Sequence, residues 1–171
     1  PSTRPGYQVE ITREPIGIVG IISPWNFPIA IPAWKAAPAL MCGNAVILKP
    51  ASLTPASAIA LTEIIAKQDL PAGLFNLIIG SGSGIGNQIA TSPEIPAITF
   101  TGSVEVGKSL YADASPLLKK MQMEMGSKNP LVVLDDADLP TAINCAANGA
   151  YGGTGQKCTA SSRIIVQAGI Y

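Results

Sequence analysis

Short runs of β-branched and other apolar residues recur along this chain, and each stops at a corner of Pro, Gly, Asn or Ser before a helical segment begins. Ile16 to Ile22 is the clearest run: it is apolar without alternation, as in a parallel strand buried on both faces. It stops at Ser23-Pro24-Trp25-Asn26-Phe27-Pro28. Ile31 to Met41 predicts a helix despite its prolines, closed by Gly43-Asn44. Ala45 to Leu48 is a second strand ending at Lys49-Pro50, and Thr54-Pro55 opens a helix to about Lys67 with Ala58, Leu61 and Ile65 on one face. Phe75 to Ile79 is a third strand, leading through Gly80 to Gly86 into a short helix, Ile85 to Ala90. Ile98 to Phe100 is a fourth, after which Ser103 caps a helix from Val104 to Ala112.

Strand and helix in this alternation predict a doubly wound α/β sheet, in which ligands collect at the carboxyl ends of the strands. Further on, Lys119 to Met125 alternates, with three methionines on one face and Lys120, Gln122 and Glu124 on the other. Leu131 to Leu134, an Ala-rich helix from Leu139 to Ala150, and Ile164 to Val166 continue the pattern. Gln8 to Arg13 also alternates and predicts a strand at the beginning.

Charge narrows the function. Lys+Arg 11 balances Asp+Glu 11 over 171 residues with no basic block, which argues against nucleic acid or an anionic membrane surface as partner. Charged residues are only 13%, so much of the surface is expected to meet protein rather than water. Histidine is absent, which removes His-based catalysis and the commonest metal ligand; no metal is expected. Three cysteines cannot all pair, and a reduced, cytoplasmic protein is expected. Pro1 to Arg13 is too polar for a signal peptide. Pro15 to Leu48 carries one charge, Lys35, but Pro24, Pro28, Pro32 and Pro38 break any membrane span.

Several residues have the chemistry for a site. Cys158 lies among glycines and hydroxyl residues with Lys157 and Arg163 close by, surroundings that suit a thiolate as well as an ordinary loop cysteine. Gly80 to Gly86 sits between a strand and a helix, where backbone N–H groups can meet a phosphate. Its spacing is not the dinucleotide fingerprint, and a plain flexible turn reads equally well. Thr101-Gly102-Ser103 offers a second phosphate site, or Ser103 is simply a cap. Lys49 suits ribose hydroxyls or solvent. Glu124 is the candidate base, against a surface glutamate. The Asn26 amide suits a developing oxyanion, against a turn asparagine.

Pro24-Trp25-Asn26-Phe27-Pro28, Lys49-Pro50, Phe100-Thr101-Gly102-Ser103, Glu124-Met125-Gly126-Ser127-Lys128-Asn129-Pro130 and Gly155-Gln156-Lys157-Cys158 occur in this order. With them the chain closely resembles the aldehyde dehydrogenase superfamily over nearly its whole length. Ile31-Pro32-Ala33-Trp34-Lys35 and Cys158-Thr159-Ala160-Ser161-Ser162-Arg163 liken it further to the 2,5-dioxovalerate (α-ketoglutaric semialdehyde) and succinate semialdehyde dehydrogenases.

The resemblance implies a Rossmann-like NAD(P)-binding domain over residues 1–124 and the start of an α/β catalytic domain over 125–171, together an internal fragment of a homo-oligomeric enzyme. It implies that Cys158 attacks a small aldehyde, that Asn26 and the Cys158 N–H hold the oxyanion, and that Glu124 activates the hydrolytic water. For NAD or NADP it implies Ile22, Trp25, Lys49, Ser52, Gly82, Gly86, Thr101, Gly102, Ser103 and Gly126. Ser52 stands where NAD-preferring relatives tend to carry a glutamate, so NADP is expected to be accepted. Ser127 replaces a second glycine common in the family. Two other classes compete with the enzyme: a dinucleotide-binding module without thiol chemistry, and a structural fragment that associates through its apolar surface.

Overall fold

The computed structural model describes residues 4–171; Pro1, Ser2 and Thr3, part of the polar opening, lie outside the described residues. Five strands form one parallel sheet: β1 (Ile18–Ile22), β2 (Ala45–Lys49), β3 (Phe75–Leu77), β4 (Ala97–Gly102) and β5 (Lys120–Met125). Their spatial order is β3-β2-β1-β4-β5. The chain therefore winds outward from β1 through β2 to β3, then returns to lay β4 on the other side of β1. That reversal opens a crevice at the carboxyl ends of β1 and β4, the place where such sheets take their ligands.

Helices cover both faces. On one, α1 (Ala30–Met41) and α2 (Pro55–Ala66) contribute Ala36 and Ala58 to a core with Ile21, Val46 and Leu48. On the other, α3 (Asn87–Thr91) and α4 (Val104–Ala114) bury Ile89, Ala90, Leu110 and Ala114 against Ile22, Ile98 and Phe100. Successive β1 residues point to opposite faces, so Ile21 and Ile22 belong to different cores. The apolar, non-alternating character of that run is the consequence. Met121, Met123 and Met125 pack against the α3/α4 core, as their alternation predicts.

After β5 the chain builds a separate two-stranded parallel sheet, β6 (Pro130–Val133) with β7 (Arg163–Val166), joined by α5 (Leu139–Tyr151). Asp138 caps α5 by accepting from the Thr141 N–H at 3.0 Å. The Thr141 hydroxyl, and after it that backbone bond, hold the Asp138 carboxyl below its ordinary range. No residue of α5 is buried. Ile143 and Tyr151 stay 65% and 79% exposed.

Four local expectations change. Gln8 to Arg13 forms no strand. Tyr7, Val9 and Ile11 are 68%, 63% and 94% exposed, because alternation marks a face suited to a sheet but supplies no neighbour to pair with. The third strand is Phe75–Leu77 only. The helix expected from Ile85 starts at Asn87, since Gly82–Gly86 is a π turn capped by the Ser81 hydroxyl. Thr54 precedes α2 but makes no side-chain cap; its hydroxyl donates instead to the Trp25 carbonyl at 3.4 Å. Among the described residues no helix is long and apolar enough to cross a membrane.

Candidate active site

The corners after β1, β2 and β4, and the end of β5, share one edge of the sheet. In the ladder Ile22 pairs with both Lys49 and Phe100, and Thr101 pairs with Glu124. Most of the residues singled out in the sequence therefore lie along the carboxyl edge, and parallel pairing puts them there.

Lys49 is only 4% exposed, and its ammonium donates to the Pro50 carbonyl at 3.0 Å. Burial pushes its pKa below the ordinary lysine value. An ammonium has three N–H donors, and a buried one with a single protein acceptor is costly without a further polar partner. Ser52, three residues on, donates its hydroxyl to Gly80 O at 3.2 Å and so links the corner after β2 to the Gly-rich loop after β3. Within that loop the N–H groups of Gly84 and Ile85 are taken by the hydroxyl and carbonyl of Ser81, at 3.0 Å each. Any phosphate there has to be met by the remaining donors, with Gly82 exposed and Gly86 buried, though a Cβ at either would meet nothing within 4 Å. Ser103 is the N-cap of α4, accepting from Val106 N–H at 3.3 Å. Gly102 is required at the end of β4, because a Cβ would lie 2.5 Å from Phe100 Cζ. Ile22 buries its side chain in the core, which leaves only its main chain for a ligand, whereas Trp25 is 43% exposed. Gly126 faces open space.

On the α1/α2 side of β4 and β5 a cleft of about 490 Å³ has Trp34, Lys35, Thr101, Gln122, Glu124 and Cys158 among its walls. Candidate base and candidate nucleophile thus face one space. Cys158, like Cys42 and Cys145, is a free, exposed thiol. The glycine-rich approach to it has a conformational reason: Gly153, Thr154 and Gly155 all have φ between +57° and +70°, and two of these three left-handed positions are glycine.

Asn26 reaches across the chain to this loop, donating Nδ2–H to the Gln156 carbonyl at 2.9 Å. A carbonyl accepts only, so the amide orientation is fixed and Oδ1 points the other way, buried and without a partner. Asn26 is therefore more than a turn residue: it ties the corner after β1 to the segment that carries Cys158.

Lys35 and Gln122 received no role in the sequence reading. Lys35 Nζ donates to Thr99 Oγ1 at 2.6 Å and Gln122 Oε1 at 2.8 Å, and Gln122 Nε2 donates to Glu124 Oε1 at 3.2 Å. Thr99 also hydrogen-bonds Gln122. Burial lowers the Lys35 pKa, and the Glu124 charge opposes that shift. The sequence signal was present: Lys35 is the lone charge in the apolar stretch from Pro15 to Leu48.

The aldehyde dehydrogenase family model matches residues 1–171. Alpha-ketoglutaric semialdehyde dehydrogenase of Bacillus subtilis is 50% identical over 171 residues, which is 100% of this chain and 35% of that protein. 2,5-Dioxopentanoate dehydrogenase of Saccharolobus solfataricus is 44% identical over 173 residues, 100% of this chain and 36% of the relative. Among solved structures, betaine aldehyde dehydrogenase from Staphylococcus aureus in complex with NAD+ superposes with a TM-score of 0.90 at 40% identity, over 92% of this chain and 31% of that one. An NADP-dependent enzyme of E. coli gives 0.89 at 42%, over 92% and 33%. The chain spans about a third of the length of the curated relatives it matches. With the whole chain matched, it belongs to the aldehyde dehydrogenase family.

Proposed function

We propose that this chain is the nucleotide-binding and thiol-bearing part of an enzyme that oxidises a small aldehyde to its carboxylic acid with NAD or NADP. The observation that carries the reading is the shared cleft of Cys158 and Glu124, with Asn26 bonded two residues before the thiol. The names of the first relatives favour a semialdehyde such as 2,5-dioxopentanoate as substrate. Residues 1–124 supply the cofactor side and residues 125–171 begin the catalytic side. A homo-oligomer fits the low charge content, and a cytoplasmic location fits the three free cysteines.

The buried, under-partnered Lys49 fits the hydroxyls of a nucleotide ribose, and Ser52 and the Gly80–Gly86 loop lie beside it. Trp25, Thr101, Gly102, Ser103, Gly126 and the Ile22 main chain complete the set that would hold the cofactor. When bound, NAD(P)+ supplies the acceptor for the hydride of the aldehyde carbon.

The Cys158 thiolate adds to the aldehyde carbon; a C–S bond forms and the carbonyl π pair moves to oxygen. Asn26 Nδ2 has one N–H committed to Gln156 and a second free for that oxygen, joined by the Cys158 N–H. Loss of the hydride re-forms C=O as a thioester. Glu124, its carboxylate oriented by Gln122, takes a proton from water as the water oxygen attacks. The C–S bond then breaks, the thiolate leaves and the acid is released. The sum is aldehyde, water and NAD(P)+ giving carboxylate, NAD(P)H and two protons.

Glu124→Gln tests this directly. It keeps the hydrogen bond to Gln122 but cannot accept the proton, so one equivalent of NAD(P)H should form per site with steady-state turnover down about 10²–10⁴-fold. Unchanged turnover in that variant sinks the reading.

A further inference from the structure

The carbonyls at positions 156, 158 and 160 are each held by an asparagine side chain. Asn26 takes Gln156; Asn129 Nδ2 donates to Cys158 O at 2.6 Å and to Ala160 O at 3.1 Å. The two N–H groups of Asn129 account for both bonds. From these contacts we infer that Asn129 is a positioning residue for the nucleophile, an inference that rests on the function proposed above.

The main chain of Asn129 is already secured. Its carbonyl accepts from Ser162 N–H at 2.9 Å, the Arg163 Nε–H donates to Lys128 O at 3.0 Å, and Pro130 pairs with Arg163 at the start of the β6–β7 ladder. The side-chain bonds are thus additional to the ladder and reach the turn before it, where Ala160 N–H bonds Lys157 O at 3.1 Å. That turn holds Cys158, which is exposed and approached by left-handed residues. No packing immobilises an exposed thiol, so the carbonyl on its own residue is the effective handle. Asn129 also lies five residues after Glu124, so one short segment carries the base and grips the nucleophile. A displacement of about 1 Å of a reacting group can cost about 10²-fold in rate.

Asn129→Asp keeps the shape but has no N–H and sets a carboxylate against two carbonyls; Asn129→Ser returns one shorter donor and adds no charge. In the enzyme carrying this chain, Asn129→Asp should lower kcat about 10²-fold per titrated site and leave KM for NAD(P) within twofold, since no cofactor-holding residue is touched. Asn129→Ser should fall between it and the unaltered enzyme. A merely structural asparagine would lower the amount of folded enzyme, not kcat per site. Full kcat per site in Asn129→Ser, or in a folded Asn129→Asp, overturns the inference, and if Asn129→Asp does not fold Asn129→Ser decides. An unaltered enzyme that gives no NAD(P)H burst with semialdehydes, or that turns over fully as Cys158→Ala, points instead to failure of the proposed function.

Discussion

Replacing Asn26 tests the proposed oxyanion site most sharply, because its two N–H groups have different partners. One is spent on the Gln156 carbonyl at 2.9 Å, and the other is free. In Asn26→Ala both are lost. In the proposed role the free donor would account for about 2.7–4 kcal/mol of transition-state stabilisation, or about 10²–10³-fold in rate. The Gln156 tie adds about 1 kcal/mol of loop anchoring. Asn26→Asp is nearly isosteric but places a carboxylate beside the forming oxyanion. Two unit charges about 4 Å apart at an effective dielectric near 20 repel by about 4 kcal/mol.

The two variants should therefore rank in a definite order, with Asn26→Asp slower than Asn26→Ala and both at least 10²-fold slower than the unaltered enzyme. The assay is single-turnover NAD(P)H formation at saturating cofactor, with alkylation of Cys158 by iodoacetamide as control. Alkylation forms no oxyanion, so Asn26→Ala should change it only a few fold. If Asn26→Ala stays within tenfold of the unaltered single-turnover rate, or Asn26→Asp outruns it, the oxyanion assignment is wrong.

Lys49→Met should stabilise the fold by about 1–2 kcal/mol by relieving a buried ammonium with one acceptor, read as a higher urea midpoint, while raising KM for NAD(P) at least tenfold. Because burial lowers the folded-state pKa of Lys49 below its unfolded value, the unfolded chain binds more protons between those two values. Stability of the unaltered chain should therefore climb relative to Lys49→Met as pH rises toward 10.5, seen as converging urea midpoints. Ser52→Glu removes the hydroxyl bonded to Gly80 O and sets a carboxylate at an exposed site beside the proposed ribose position. Repulsion from a 2′-phosphate, screened by solvent, should raise KM for NADP about tenfold and leave NAD little affected; equal effects on both cofactors count against this placement. Gly20→Ala would put a Cβ 2.5 Å from the stiff Cγ2 of Ile89 and 3.3 Å from that of Ile95, so urea unfolding should show a loss of about 1–3 kcal/mol.

What was legible in the sequence was what depends on local pattern. Ile16 to Ile22 reads as a doubly buried strand because each face of β1 meets its own helix layer, Ala45 to Leu48 reads as its short apolar neighbour, and the methionine alternation in β5 follows from one core on one side. Gln8 to Arg13 misled for the complementary reason: a two-residue period reports which face is apolar, not whether a neighbour exists to accept the hydrogen bonds. Boundaries slipped where glycine left the backbone free, as in Gly82–Gly86, whose π turn depends on the Ser81 side chain rather than on any period.

The site divided along the same line. Cys158, Glu124 and Asn26 stood out by residue type, although a loop cysteine, a surface glutamate and a turn asparagine were ordinary alternatives. The bonds that tie Asn26 and Asn129 to the segment carrying Cys158 span 130 and 29 residues, and no local pattern encodes them. Lys35 is the instructive case. Read as one charge in an apolar stretch, it raised the question of a membrane; the structure answers with Thr99 and Gln122 on two adjacent strands. A half-buried lysine in an apolar helix favours hydrogen-bond partners within its reach, and here they are polar side chains in the middle of β4 and β5. The isolated charge was therefore already a pointer to the cleft that Glu124 and Cys158 share.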